Sequence, residues 1–148
     1  VASKNSIDCC YMMCAVHHSY LSYAKRKKVG AVIVTASGVL IPGVNGMAPG
    51  GSNVLEDEDP LYGKLTTKEQ VIHAETNCLL KAAKEGVSVV GGTLYLTLSP
   101  CISCSEMVVA AGIKRVVYLE EYRCKDGIDN LISYGLVVDK LENIDVAF

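Results

Sequence analysis

Thr93-Leu94-Tyr95-Leu96-Thr97-Leu98-Ser99-Pro100-Cys101-Ile102-Ser103-Cys104 is the stretch that decides how this chain folds. Thr93 to Leu98 alternates as a strand does, and Pro100 opens a helix that runs to about Ala111, where Gly112 stops it. A second strand follows over Lys114 to Leu119. Strand, helix, strand in this order is the repeating unit of an α/β fold with parallel pairing.

Working outward, a short helix from about Asp126 to Tyr134, Gly135, and a last strand from Leu136 to Leu141 complete the C-terminal side. On the N-terminal side a helix spans about His73 to Glu85 and ends at Gly86. Earlier, Val29 to Val34 and Val39 to Ile41 flank Ala36-Ser37-Gly38 and predict a hairpin. Ile7, Cys10, Met13 or Cys14, His17 and Leu21 recur at steps of three and four, predicting an amphipathic helix from Ile7 to about Lys27 that ends on the Lys25-Arg26-Lys27-Lys28 run. Residues 42 to about 70 hold many Gly and Pro and the acidic cluster Glu56-Asp57-Glu58-Asp59, predicting a functional loop whose acidic tip is solvated. The expected fold is α/β, a largely parallel sheet with helices on both faces, in a single domain over residues 1–148.

The composition bounds the function. With 148 residues, 50% hydrophobic and 20% charged, the chain builds one core, and no apolar run approaches the length that spans a bilayer. Val1 to Ser6 lacks the features of a secretory signal, so an intracellular, cytoplasmic location is expected. A net charge of −2 argues against an extended nucleic-acid partner. Seven cysteines in a reducing compartment point to metal binding or buried thiols before disulfides.

Two fragments carry chemistry, His73-Ala74-Glu75 and Pro100-Cys101-Ile102-Ser103-Cys104, each at a predicted helix start. Cys101 and Cys104 are three apart and so lie about 60° apart on one helical face, where the helix N-terminus favours thiolates. Two thiolates and the imidazole of His73 make three ligands and leave the fourth tetrahedral position of zinc open, as in catalytic sites. Glu75 shares the site with His73 only where the chain is entering its helix, which keeps a carboxylate near the metal without binding it. Alone, a Cys-x-x-Cys pair is equally a redox or buried pair, and Cys10, Cys14 and His17, with His18, offer a second conceivable metal face. Small buried thiols are the reading adopted for Cys9, Cys10, Cys14, Cys78 and Cys124, with Met12 and Met13 as core filler.

The two fragments form the H-x-E and P-C-x-x-C signature of zinc deaminases, and the chain resembles the cytidine deaminase superfamily. Lys28 to Val34, Gly43-Val44-Asn45-Gly46, Ile72 to Glu75, Tyr95 to Cys101 with Cys104, Ala111 to Lys114 and Tyr122 resemble most closely the deoxycytidylate (dCMP) deaminases of bacteria and phages. The resemblance implies a three-layer α/β/α fold whose mixed five-stranded sheet has an antiparallel N-terminal hairpin and otherwise parallel strands. It implies a hydrolase that deaminates dCMP to dUMP and ammonia, supplying dUMP for thymidylate synthesis, with one Zn2+ on His73, Cys101 and Cys104. Glu75 is then the proton shuttle, the Ala74 N–H binds the ring O2, the Ser99 carbonyl accepts from the leaving amine, Asn45 binds the sugar and Tyr122 packs beside the nucleotide. For the 5'-phosphate, Arg26 is the candidate from the neighbouring basic run. The resemblance further implies a homo-oligomer, commonly a hexamer, with dCTP and Mg2+ as activator and dTTP as inhibitor acting at Gly43, Val44, Asn45 and Gly46, although Val44 stands where relatives often have Tyr. The alternatives are a tRNA adenosine deaminase or another nucleobase or nucleoside deaminase, and, outside enzymes, a structural zinc or nucleotide-binding module, against which Glu75 argues.

Overall fold

Successive residues of the central strands face two different sets of helices, and this alternation organises the molecule. In the computed structural model, which describes residues 3–144, the order is α1 (Lys4–Ser19), β1 (Gly30–Val34), β2 (Leu40–Val44), β3 (Glu56–Glu58), β4 (Leu65–Thr67), α2 (Ala74–Glu85), β5 (Thr93–Leu98), α3 (Ile102–Ala110), β6 (Arg115–Glu120), α4 (Asp126–Ser133) and β7 (Val137–Lys140). Five strands form one sheet in the order β2-β1-β5-β6-β7. β1 runs antiparallel to both β2 and β5, and β5, β6 and β7 are parallel, which is the mixed sheet expected. Val32, Tyr95 and Val117 pack with Cys9, Met12 and Ala15 of α1 on one face. Ala31, Ile33, Leu94, Leu96 and Val116 pack with Ala74, Cys78 and Ala82 of α2, Val108 of α3 and Leu131 of α4 on the other. No helix among the described residues is long and apolar enough to cross a membrane.

The first helix departs from expectation in extent and in face. Ser3 Oγ accepts from Ser6 N at 3.2 Å and starts α1 at Lys4, ahead of Ile7. It ends at Ser19, not near Lys27: Leu21 N and Ser22 N each donate to the carbonyl three residues back, and Ser22 Oγ donates to the Asn45 carbonyl at 2.9 Å, drawing the chain away from the axis. The Lys25 to Lys28 run therefore lies in a loop and ends no helix. The buried stripe is Asp8, Cys9, Met12, Ala15 and Ser19, while Ile7, Cys10, His17 and Leu21 of the predicted face are exposed. An ion pair sets this choice: Arg115 on β6 donates to Asp8 Oδ1 and Oδ2 at 2.8 and 2.7 Å, and Tyr95 Oη donates to Oδ1 at 2.8 Å. Burial by itself would raise the Asp8 carboxyl, but the bonds from Arg115 and Tyr95 and the Arg115 charge outweigh it and hold the carboxyl below its ordinary range. The buried-thiol expectation holds for Cys9 and Cys78, the latter pushed by burial up to about 12, whereas Cys10 and Cys124 are exposed and Cys14 is half-buried.

The long segment after β2, expected as a loop, contains regular structure. β3 and β4 form a separate hairpin, with Glu56 opposite Thr67. Asp59 makes its turn by accepting from Leu61 N and Tyr62 N, and Gly63 closes it at a φ of 67° that few side chains tolerate. The acidic run is not uniformly solvated, because Glu56 is buried.

Candidate active site

Two helix starts converge at the carboxyl ends of the central strands. His73 is the residue before α2 and Cys101 the residue before α3; both are extended, and neither side chain caps its own helix. Their side chains are thus free to face each other. Gly127 at the start of α4 holds this turn in place, since any Cβ there would collide with the Pro100 carbonyl. Gly43 on β2 does the same for α2, where a Cβ would stand 2.7 Å from the Ala74 carbonyl oxygen.

His73 Nδ1 lies 3.6 Å from Cys101 Sγ and 3.3 Å from Cys104 Sγ. Ligands at tetrahedral zinc distances stand about 3.5–3.8 Å from one another, so these separations and this donor set fit such an ion, with Nδ1 as the imidazole ligand. Among the described residues these three form the cluster able to hold a metal, and Cys10, Cys14 and His17 do not gather into a second one. Cys101 is held down to about 4, first by the hydrogen bond from Cys104 and then by that with His73, and the same bonding and burial push Cys104 up. Hydrogen bonding with Cys101 raises His73, and metal binding would displace these protons. Thr76 Oγ1, 3.4 Å from Cys104 Sγ, supports the second thiol.

Glu75 is on the first turn of α2 and is 3% exposed. Burial raises its carboxyl above the ordinary carboxylate range, against the opposing pull of its own backbone N–H and the Cys104 thiol. It lies beside a potential Lewis acid and is not in the ligand triangle, which suits a group that takes up and releases a proton.

The cluster opens onto a cavity of about 500 Å³, a size that suits a small organic molecule. His73, Ala74, Glu75, Ser99 and Cys101 line it together with Asn45, Tyr122 and Arg26, so the structure gathers every predicted metal, catalytic and substrate residue around one space apart from the buried Cys104 at its edge. Ser99 Oγ accepts from Tyr122 N at 2.6 Å and ties those two walls together. Asn45 also works within the fold: Oδ1 accepts from Val29 N and Nδ2 donates to the Lys27 carbonyl, both at 2.9 Å. The turn read as an effector cradle is largely occupied by internal bonds. Gly46 exchanges backbone bonds with Ile72, and the Val44 carbonyl accepts from Asn77 Nδ2.

Glu56, Thr67 and Arg123 are among the lining residues that the sequence does not mark as part of a site. Arg123 follows the singled-out Tyr122 and lies 5.7 Å from its ring centroid, so its cationic neighbour was the available signal. Glu56 and Thr67 reach the cavity through the β3–β4 hairpin, and no local pattern announces them.

Residues 5–120 match the family described as the cytidine and deoxycytidylate deaminase zinc-binding region. The ComE operon protein 2 of Bacillus subtilis is 34% identical over 134 residues, covering 89% of this chain and 70% of its own. The deoxycytidylate deaminase of Mycobacterium phage D29 is 37% identical over 109 residues, covering 68% of this chain and 84% of its own. A crystal structure of the dCMP deaminase of cyanophage S-TIM5, in complex with dCMP and dUMP, superposes with a TM-score of 0.85 at 42% identity, over 94% of this chain and 99% of that one. Because the family match runs from the first helix to the end of β6 and takes in all four of His73, Glu75, Cys101 and Cys104, the chain belongs to the cytidine and deoxycytidylate deaminase family.

Proposed function

We propose that the protein hydrolyses dCMP to dUMP and ammonia, the replacement of a ring amino group by oxygen at C4. One observation carries the reading: the His73, Cys101 and Cys104 triangle and the buried Glu75 border a cavity that Arg26 and Arg123 also line. Zinc held by His73 Nδ1 and the two thiolates would supply Lewis-acid activation of water at the site. Glu75 accepts one proton of the attacking water and gives it to ring N3, then takes the second from the hydroxyl now on C4 and gives it to the exocyclic amine, which leaves as ammonia while the C4 carbonyl forms, so that Glu75 ends each cycle as it began. Its burial favours this, because a carboxyl raised above the ordinary range takes up a proton more readily than an exposed one.

The Ala74 N–H, in the first turn of α2 where such groups have no partner in the helix, is the donor for ring O2. The Ser99 carbonyl is the acceptor for the amino group, Asn45 the contact for the sugar, and Tyr122 the side wall. Arg26 is the phosphate ligand; among the described residues its guanidinium has no carboxylate partner, whereas Lys27 is paired with Glu120 at 2.7 Å. The homohexamer, its control by dCTP with Mg2+ and by dTTP, and the supply of dUMP for thymidylate synthesis in the cytoplasm, that of the host for a viral protein, are proposed on family likeness.

Turnover with dCMP, deoxycytidine, cytidine, dCTP and adenosine-containing RNA, followed by ammonia release, tests the reading. The expected result is dCMP well ahead of deoxycytidine and no reaction on RNA. A preference for any other member of the panel contradicts it.

A further inference from the structure

The carboxylate of Glu56 has an unusual place for a member of an acidic run. Asp57, Glu58 and Asp59 are exposed, but Glu56 is 7% exposed and lines the cavity. A buried carboxylate is costly without partners, and here both partners are main chain. Its Oε2 accepts from Lys25 N at 2.7 Å and from Arg26 N at 2.9 Å, two consecutive N–H groups converging on one oxygen. The Glu56 charge is thus taken up by the backbone of the basic loop and leaves the guanidinium of Arg26 uncompensated.

The other end of Arg26 is held by the residue facing Glu56. Arg26 Nη1 donates to Thr67 Oγ1 at 3.0 Å, and Thr67 is the partner of Glu56 across the β3–β4 ladder. One strand therefore fixes the main chain of Arg26 and the strand beside it fixes the guanidinium. Without this clamp, an arginine on an exposed loop loses conformational freedom each time it engages a ligand. Arg123, stacked 5.7 Å from the Tyr122 ring centroid, has no comparable attachment among its described contacts.

From this geometry we propose that Glu56 is a positioning residue that, with Thr67, presets Arg26 for the 5'-phosphate of the substrate, so that the β3–β4 hairpin sets the choice of nucleotide over nucleoside. The inference rests on the dCMP reading above.

Steady-state kinetics of wild type, Glu56→Gln, Glu56→Ala, Thr67→Val and Arg26→Ala on dCMP and on deoxycytidine test it. Glu56→Ala is expected to raise KM for dCMP roughly tenfold with kcat nearly kept and with deoxycytidine turnover unchanged. Glu56→Gln, whose amide oxygen still accepts, recovers most of the loss, and Thr67→Val, which removes only the hydroxyl, lowers the dCMP preference by a smaller factor. In an Arg26→Ala background Glu56→Ala should change the preference no further. Equal losses on both substrates, or an undiminished effect of Glu56→Ala without Arg26, would overturn the positioning role. Thr67→Val, alone and in the Arg26→Ala background, keeps the test decisive if Glu56→Ala does not fold. A wild type that prefers dCMP while every variant keeps that preference defeats the positioning role alone. A wild type with no preference for dCMP defeats the substrate reading, and the inference with it.

Discussion

The two ends of the cavity are built by different means. The metal end rests on regular structure: β5 runs into α3, α2 begins at His73, and the reactive groups occupy the last residue before a helix or its first turn. The opposite end rests on loops fastened by side chains from far along the chain, Glu56 to Lys25 and Arg26, Thr67 to Arg26, and Asn45 to Lys27 and Val29. On the function proposed above, the chemistry falls where short spacings fix geometry and the selectivity where distant segments must meet. That division predicts which substitutions stop the reaction and which only change its substrate.

The largest effect is expected at the metal end. Cys101→Ser replaces a thiolate by a weak oxygen donor and should lose both bound zinc and turnover, with deoxycytidine and dCMP affected alike. Metal analysis alongside kinetics checks this, and a Cys101→Ser protein that keeps its zinc would break the ligand assignment. A control away from both ends sharpens the comparison. Asp8→Ala leaves Arg115 with only Asp139 in a part-buried site, and the loss of stability expected is about 3–5 kcal/mol by denaturant unfolding, with substrate preference intact. A changed dCMP to deoxycytidine ratio in that variant would show that long-range ties affect selectivity wherever they occur.

A smaller change is expected at the loop end. Arg26→Ala should cut kcat/KM for dCMP roughly tenfold and leave deoxycytidine nearly unchanged, because a charge-assisted contact to phosphate is lost and the bond to Thr67 that goes with it touches no part of a nucleoside. Equal losses would move the phosphate role to another cation of the lining, Arg123 or Lys27. The smallest effect concerns pH. Asp8 has its carboxyl lowered in the fold, so its contribution to stability is fully present above the unfolded Asp value near 4 and fades as pH falls through the lower folded value. Unfolding measured from pH 5 down to 2 should show this loss in wild type and a flatter profile in Asp8→Ala.

Legibility in the sequence followed the same division. The β5–α3 unit, the Cys-x-x-Cys spacing and the His73 to Glu75 pair are local patterns, and each is found where the spacing placed it. The first helix was legible as a helix, but its buried face was not: polarity periodicity favoured Ile7 and Leu21, while the pairing of Asp8 with Arg115, 107 residues away, turned a different face inward. Glu56 carried the opposite problem. Its neighbours made it look like part of a solvated cluster, and only the return of the chain past Lys25 supplies the two N–H groups that bury it.

If Glu75 moves protons beside a metal held by His73, Cys101 and Cys104, ammonia release from dCMP separates wild type from Glu75→Gln at matched zinc content. One bound zinc per chain is expected in both, with one ammonia per dUMP from wild type and a rate reduced by at least about 10²–10⁴-fold in Glu75→Gln. Near-native turnover by a zinc-loaded Glu75→Gln protein would contradict it.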